Sequence, residues 1–82
     1  MAYTVEIMSK ALKDLKKIDR SKISEVINKI QNLENGLEGD VKKLTNFTPE
    51  YRLRVGKYRV LFEIEGDKIV IYRIKHRKDA YT

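Results

Sequence analysis

The spacing of apolar residues along the chain is two at the start, close to 3.6 through the next twenty-odd positions, absent for a stretch, and two again to the end. Tyr3, Val5 and Ile7 alternate with Thr4, Glu6 and Met8, which predicts a short strand over Ala2 to Met8 with one buried face. Ser9 stands where a helix N-cap is expected. Beyond it Ala11, Leu12, Leu15 and Ile18 recur at helical spacing while Lys10, Lys13, Asp14, Lys16 and Lys17 face outward. Asp19 or Ser21 would cap a second helix with the stripe Ile23, Val26, Ile27, Ile30 and Leu33, stopped at Asn35-Gly36. The two helices are predicted to form a hairpin. Gly36, Gly39 and Pro49 bracket Leu37 to Glu50, which has no clear period and reads mainly as loop, with Val41 to Leu44 briefly extended.

The return to period two begins at Tyr51. In Tyr51 to Ile64, YRLRVGKYRVLFEI, Gly56 and Lys57 separate two runs rich in β-branched and aromatic residues, the pattern of a hairpin with a two-residue turn. That turn sets Val55 opposite Tyr58, Arg54 opposite Arg59, Leu53 opposite Val60, Arg52 opposite Leu61 and Tyr51 opposite Phe62. One face is then apolar, and the other carries Arg52, Arg54 and Arg59. Two guanidiniums directly across from each other repel, where an opposite-charge pair would contribute about 0.2–1 kcal/mol, so a polyanion on this face would relieve a built-in cost. A second turn, Glu65 to Lys68, leads to a third strand, Ile69 to Lys75. A two- or four-residue loop would put Val70, Tyr72, Ile74 and His76 on the arginine face; a bulged three-residue loop would put Ile69, Ile71, Arg73 and Lys75 there. The sum is an α+β fold of two layers, β-α-α-β-β-β with a short C-terminal segment, in which a helical hairpin packs on one face of a mostly antiparallel sheet. The opposite face is left to solvent or ligand.

With 82 residues the chain has room for a single domain, residues 1–82, and one core. It lacks cysteine and has a single histidine, so no disulfide framework, metal site or cofactor is expected, and a reducing cytoplasm fits. No apolar run approaches membrane-spanning length and the first ten residues lack signal-peptide character, so a soluble, unprocessed protein without membrane contact is expected. The net charge of +6 is uneven: residues 1–50 hold nine Lys and Arg against eight Asp and Glu, residues 51–82 nine against four. The basic end is the hairpin end, which points to an anionic partner there.

Strand, helical hairpin, Lys42-Lys43-Leu44, YRLRVGKYRVLFEI and the ending HRKDAY together resemble the RelE-type toxins of the RelE/ParE superfamily over essentially the whole chain. The resemblance implies a ribosome-dependent mRNA endonuclease that inhibits translation. Its partners would be the ribosome and mRNA, a cognate acidic antitoxin and, indirectly through the antitoxin, operator DNA. It carries the family's basic hairpin positions onto Arg52, Arg54 and Arg59, and its C-terminal arginine and tyrosine onto Arg77 and Tyr81; with the chain running to Thr82, a C-terminal helix would be very short. The residue types suit the chemistry. When an RNA 2′-hydroxyl attacks the adjacent phosphate, charge builds on the phosphorane oxygens and fixed guanidiniums stabilise it. His76 has the intrinsic pKa of a possible acid or base, Tyr81 could stack on a base, and Lys57, Lys75 and Lys78 flank the arginines as RNA contacts. No residue is an obvious strong base, Glu50 and Glu63 included, which fits an enzyme that relies on a ribosome to orient its substrate. Two other readings stay open: a ParE-like toxin that inhibits gyrase, and a non-catalytic basic nucleic-acid-binding module.

Overall fold

The computed structural model describes residues 3–81; Ala2, expected to open the first strand, lies outside that range. Five strands form one sheet: β1 (Thr4–Ile7), β2 (Asp40–Lys43), β3 (Tyr51–Val55), β4 (Tyr58–Glu65) and β5 (Lys68–His76). Their order is β1-β5-β4-β3-β2, with β1 parallel to β5 and the other pairings antiparallel. Helices α1 (Ser9–Lys16) and α2 (Arg20–Asn32) lie on one face, α1 against β5 and α2 against β3. Among the described residues no helix is long and apolar enough to cross a membrane. This is the expected α+β architecture, and the hairpin register is the one read from the turn, Val55 opposite Tyr58 through Tyr51 opposite Phe62.

The core lies between the layers. Ala11, Ile18, Val26, Ile30 and Leu33 from the helical side meet Leu53, Val60, Phe62, Ile69, Ile71 and Ile74 from the sheet. Asp19 caps α2 by accepting the Ser21 N–H at 3.1 Å, and a 3-10 turn, Leu33–Asn35, closes on Gly36 in the left-handed region. Ser9 is not a cap: it is the first helical residue, and Met8, at the cap position, contributes no side-chain bond. The reason is the short link from β1, since the Met8 N–H is spent on Ile71 O and its carbonyl already accepts from Leu12.

Three further features depart from the sequence reading. In the stretch expected to be mainly loop, the brief extension expected over Val41 to Leu44 is a full strand one residue earlier, β2, whose Asp40 to Lys43 pair with Arg54 to Tyr51 and extend the sheet beyond the hairpin. In β5 neither proposed facing holds throughout. A two-residue turn, with Glu65 opposite Lys68, puts Val70 on the arginine face opposite Glu63. The register then shifts between Leu61 and Phe62, which face Arg73 and Ile71 and leave Tyr72 as the extra residue of a bulge. Past the bulge the phase is reversed, so Lys75 lies opposite Arg59 while Ile74 and His76 turn to the helical side. Finally, α1 turns Asp14 inward and leaves Leu12 45 % exposed.

Asp14 is drawn in because β1 stops at Ile7, opposite Ile71, and leaves the edge of β5 beyond that point without a strand. Its carboxylate accepts the Ile74 N–H at 2.9 Å and two bonds from Arg73, at 2.7 and 3.0 Å. Burial pushes its pKa up, but the Arg73 bond, the Ile74 N–H and the charges of Arg73 and Lys17 outweigh this and hold it below the usual range. A lowered folded-state pKa contributes stability above the ordinary carboxylate pKa of about 4, and that stability is lost as pH falls through the folded value. Asp14→Asn should therefore cost about 1–2 kcal/mol at neutral pH, the range for a solvent-screened charged hydrogen bond. In urea unfolding the gap between the two proteins should narrow as pH falls through the carboxylate range; a gap that stays constant with pH would contradict this role.

Candidate functional site

The hairpin register and the two flanking strands assemble a cross-sheet row on the face away from the helices. Asp40 on β2 stands opposite Arg54 on β3, Arg54 opposite Arg59 on β4, and Arg59 opposite Lys75 on β5. Neighbouring strands lie about 4.8 Å apart, so three cations follow one another at close spacing with one carboxylate at the end. The next row on the same face runs Lys42, Arg52, Leu61, Arg73. Of the residues expected to bind RNA, the fold thus brings Arg52, Arg54, Arg59 and Lys75 together.

The cations are not equally free. The Arg52 side chain is 15 % exposed, and its Nη1 donates to the Asp40 carbonyl at 2.8 Å and to Asp40 Oδ1 at 3.1 Å. Arg54 is 57 % exposed, with Nη1 3.9 Å from Asp40 Oδ2. Arg59 is half-buried and folds back over the turn, where Nη1 donates to the carbonyls of Gly56 and Tyr58, each at 3.0 Å. Gly56, at φ +55°, supplies the left-handed residue that the tight turn needs. The clash expected between Arg54 and Arg59 is therefore eased within the protein, by Asp40 beside one guanidinium and by turn carbonyls on the other. The hydrogen bond from Arg52, followed by the charges of Arg52, Arg54 and Arg59, holds the Asp40 carboxyl below the usual range. Sequence reasoning passed over Asp40 because it falls one residue before the extension expected over Val41 to Leu44; the polar-apolar-polar run Asp40-Val41-Lys42 was the available signal.

The C-terminal segment adds an aromatic wall. Tyr81 is 46 % exposed and packs edge-to-face on Phe47, centroids 5.4 Å apart. The two rings line an open groove of about 340 Å³ with Lys42, Leu44, Thr45 and Arg52, so Tyr81 and Arg52 share one recess. Leu61, Val70 and Ala80 are buried without joining the main core cluster. The arginine side is thus partly closed, where the sequence suggested a face open to solvent or ligand. Arg77 follows β5 and its N–H bonds the Lys57 carbonyl at 2.8 Å, which sets it beside the hairpin turn; Arg77, Lys57 and Lys78 are all exposed. His76 is not brought to the arginine face. It lies opposite Tyr58 on the helical side, rings 5.9 Å apart, and its Nδ1 accepts the Lys78 N–H at 3.2 Å. The bulge at Tyr72 is what turns it away.

What the arrangement can do is bind and polarise an extended anion. The row Arg54, Arg59, Lys75 with Arg52 beside it suits successive phosphates, and the Phe47–Tyr81 wall offers an aromatic face to a base.

Residues 5–81 match the family model described as ParE toxin of type II toxin-antitoxin system, parDE. Over 75 residues the chain is 40% identical to toxin RelE3 of Methanocaldococcus jannaschii, covering 85% of each. Solved structures share its shape, two of them toxin complexes of archaea. The RelE–RelB complex of Pyrococcus horikoshii superposes with a TM-score of 0.77 at 27% identity, over 98% of this chain and 100% of that one. The RelB–RelE antitoxin–toxin complex of Methanococcus jannaschii gives 0.67 at 36%, over 88% and 89%.

Proposed function

The chain belongs to the RelE-type toxins within the ParE toxin family of type II toxin–antitoxin systems, and from that premise we propose that it cleaves mRNA on the ribosome and so inhibits translation. The observation that carries this reading is the cross-sheet row Arg54, Arg59, Lys75 with Arg52 beside it, next to an aromatic groove that ends on Tyr81. In the reaction the 2′-hydroxyl of one nucleotide loses its proton to water and attacks its own 3′-phosphorus, the bond to the next nucleotide's 5′-oxygen breaks and that oxygen takes up a proton, and a cyclic phosphate and a 5′-hydroxyl result. Arg59, held over the hairpin turn by the Gly56 and Tyr58 carbonyls, and Arg54 opposite it stabilise the charge on the phosphorane oxygens. Arg52 and Lys75 hold the flanking backbone. Arg77, at the hairpin turn, reaches the same anion electrostatically or protonates the leaving oxygen, and Tyr81 stacks on a base and orients the hydroxyl.

Among the described residues no group on the arginine face is a strong base. Asp40 is the carboxylate closest to the row, and its lowered pKa makes it a poor proton acceptor. The rate must then come from orientation, which a ribosome holding the mRNA supplies, and this places the action in the cytoplasm. A cognate antitoxin is the second partner, in keeping with the RelE–RelB complexes formed by the related toxins. Against a chain of net charge +6, an acidic, partly disordered segment that folds on binding would be captured fast at low salt.

The phosphate contacts are tested by salt. Changing Arg52 and Arg54 together to Ala should weaken binding to single-stranded RNA and flatten the plot of log affinity against log salt by about 1.4, two contacts at about 0.7 each. An unchanged slope would show that neither residue touches the backbone.

A further inference from the structure

The arginine face already holds an anion of its own. The Asp40 carboxylate spreads its two oxygens over two guanidiniums, Oδ1 at 3.1 Å from Arg52 Nη1 and Oδ2 at 3.9 Å from Arg54 Nη1. This is the way two arginines would share the non-bridging oxygens of one phosphate. We propose that Asp40 is a built-in competitor for RNA phosphate, a carboxylate that occupies the anion position between Arg52 and Arg54 and is displaced when RNA seats there. The inference rests on the RNA-binding reading above and adds to it a residue that sets how much polyanion is needed.

Two further observations separate competition from simple support. The first is that Arg52 has an anchor independent of the carboxylate: the Asp40 main-chain carbonyl accepts from the same Nη1 at 2.8 Å, and the backbone of Asp40 is fixed by its pairing with Arg54. Removing the charge therefore leaves Arg52 placed. The second is that the Asp40 side chain is 54 % exposed, so the ion pair is solvent-screened and costs little to break. The carboxylate is ionised under physiological conditions, since its hydrogen bond from Arg52 and the surrounding guanidiniums favour the charged form. A lone phosphate arriving here exchanges one anion for another and gains little. An ordered strand that also reaches Arg59 and Lys75 gains contacts that Asp40 does not contest. Asp40 thus biases the face against free nucleotides and single phosphates and towards a backbone held in line.

The test measures binding of a short fluorescein-labelled single-stranded RNA, made uncleavable by 2′-O-methyl groups, by anisotropy at rising salt. Asp40→Asn and Asp40→Ser should both bind about fivefold tighter than wild type at low salt, the effect of removing one opposing unit charge at about 4 Å in a water-like medium. Their salt slope should stay close to that of wild type, since the same phosphates are contacted once Asp40 has given way. In a background with Arg52 and Arg54 both changed to Ala, the gain from Asp40→Asn should vanish. Two folded Asp40 variants that bind no tighter than wild type would overturn the proposal, as would a gain that persists without the two arginines. The RNA-contact reading fails separately, if wild type and the double arginine variant bind alike; if the arginines matter and Asp40 does not, only the competitor role is lost.

Discussion

Replacing Arg59 with alanine is expected to lower RNA cleavage by about 10²–10³-fold, the loss seen when one preorganised donor to a developing oxyanion is removed. Arg59 lies at the middle of the cross-sheet row, between Arg54 and Lys75, and its guanidinium is anchored over the hairpin turn. The fold should survive. The carbonyls of Gly56 and Tyr58 that Arg59 now binds belong to an exposed turn and to the start of a strand beside it, where water can replace the guanidinium, and melting should fall by only a few degrees. Arg59→Lys keeps the charge but not the forked donor, and should recover part of the binding and less of the rate. Cleavage by a soluble, folded Arg59→Ala protein at the wild-type rate would remove Arg59 from the mechanism.

The second large effect is on the fold. Phe62 is fully buried and stacks on Tyr51, with centroids 5.6 Å apart and 18° between the rings. It also stands at the register shift, opposite Ile71, where the bulge re-aims the rest of β5. Phe62→Ala should therefore cost about 3–5 kcal/mol, a large part of the roughly 5–15 kcal/mol that holds a domain of this kind together. Urea unfolding should show the loss directly, and growth arrest should fail although every arginine on the other face is intact. Because a partner that binds only the folded state stabilises it by mass action, a bound antitoxin should restore much of the lost melting temperature. A Phe62→Ala protein as stable as wild type would mean the core is not organised around this ring.

The sequence disclosed the hairpin fully, because the Gly56-Lys57 turn fixes register and every step of register exchanges the two faces. Arg52, Arg54 and Arg59 were legible for that reason. Strand β2 was legible only as a brief extension over Val41 to Leu44, since it is a four-residue edge strand in which only Val41 is apolar; Asp40, one residue outside that extension, was missed. Asp14 was read as solvated because helical spacing shows which way a residue faces on its own helix, not that a neighbouring strand has run out and left Ile74 needing an acceptor. The facing of β5 was undetermined because a bulge has no period of its own, and His76 and Lys75 exchange sides with it. Tyr81 is placed by a ring contact with Phe47, a pairing between two segments that carry no periodic signal.

Whether the arginine face cuts translated RNA is tested most directly by primer extension on a message under translation, after brief induction of wild type or Arg59→Ala. Wild type should generate new 5′ ends within the coding region, and these should disappear when translation of that message is blocked and when Arg59 is absent. Growth arrest by wild type with the message intact from end to end would contradict the account and point to a target other than RNA.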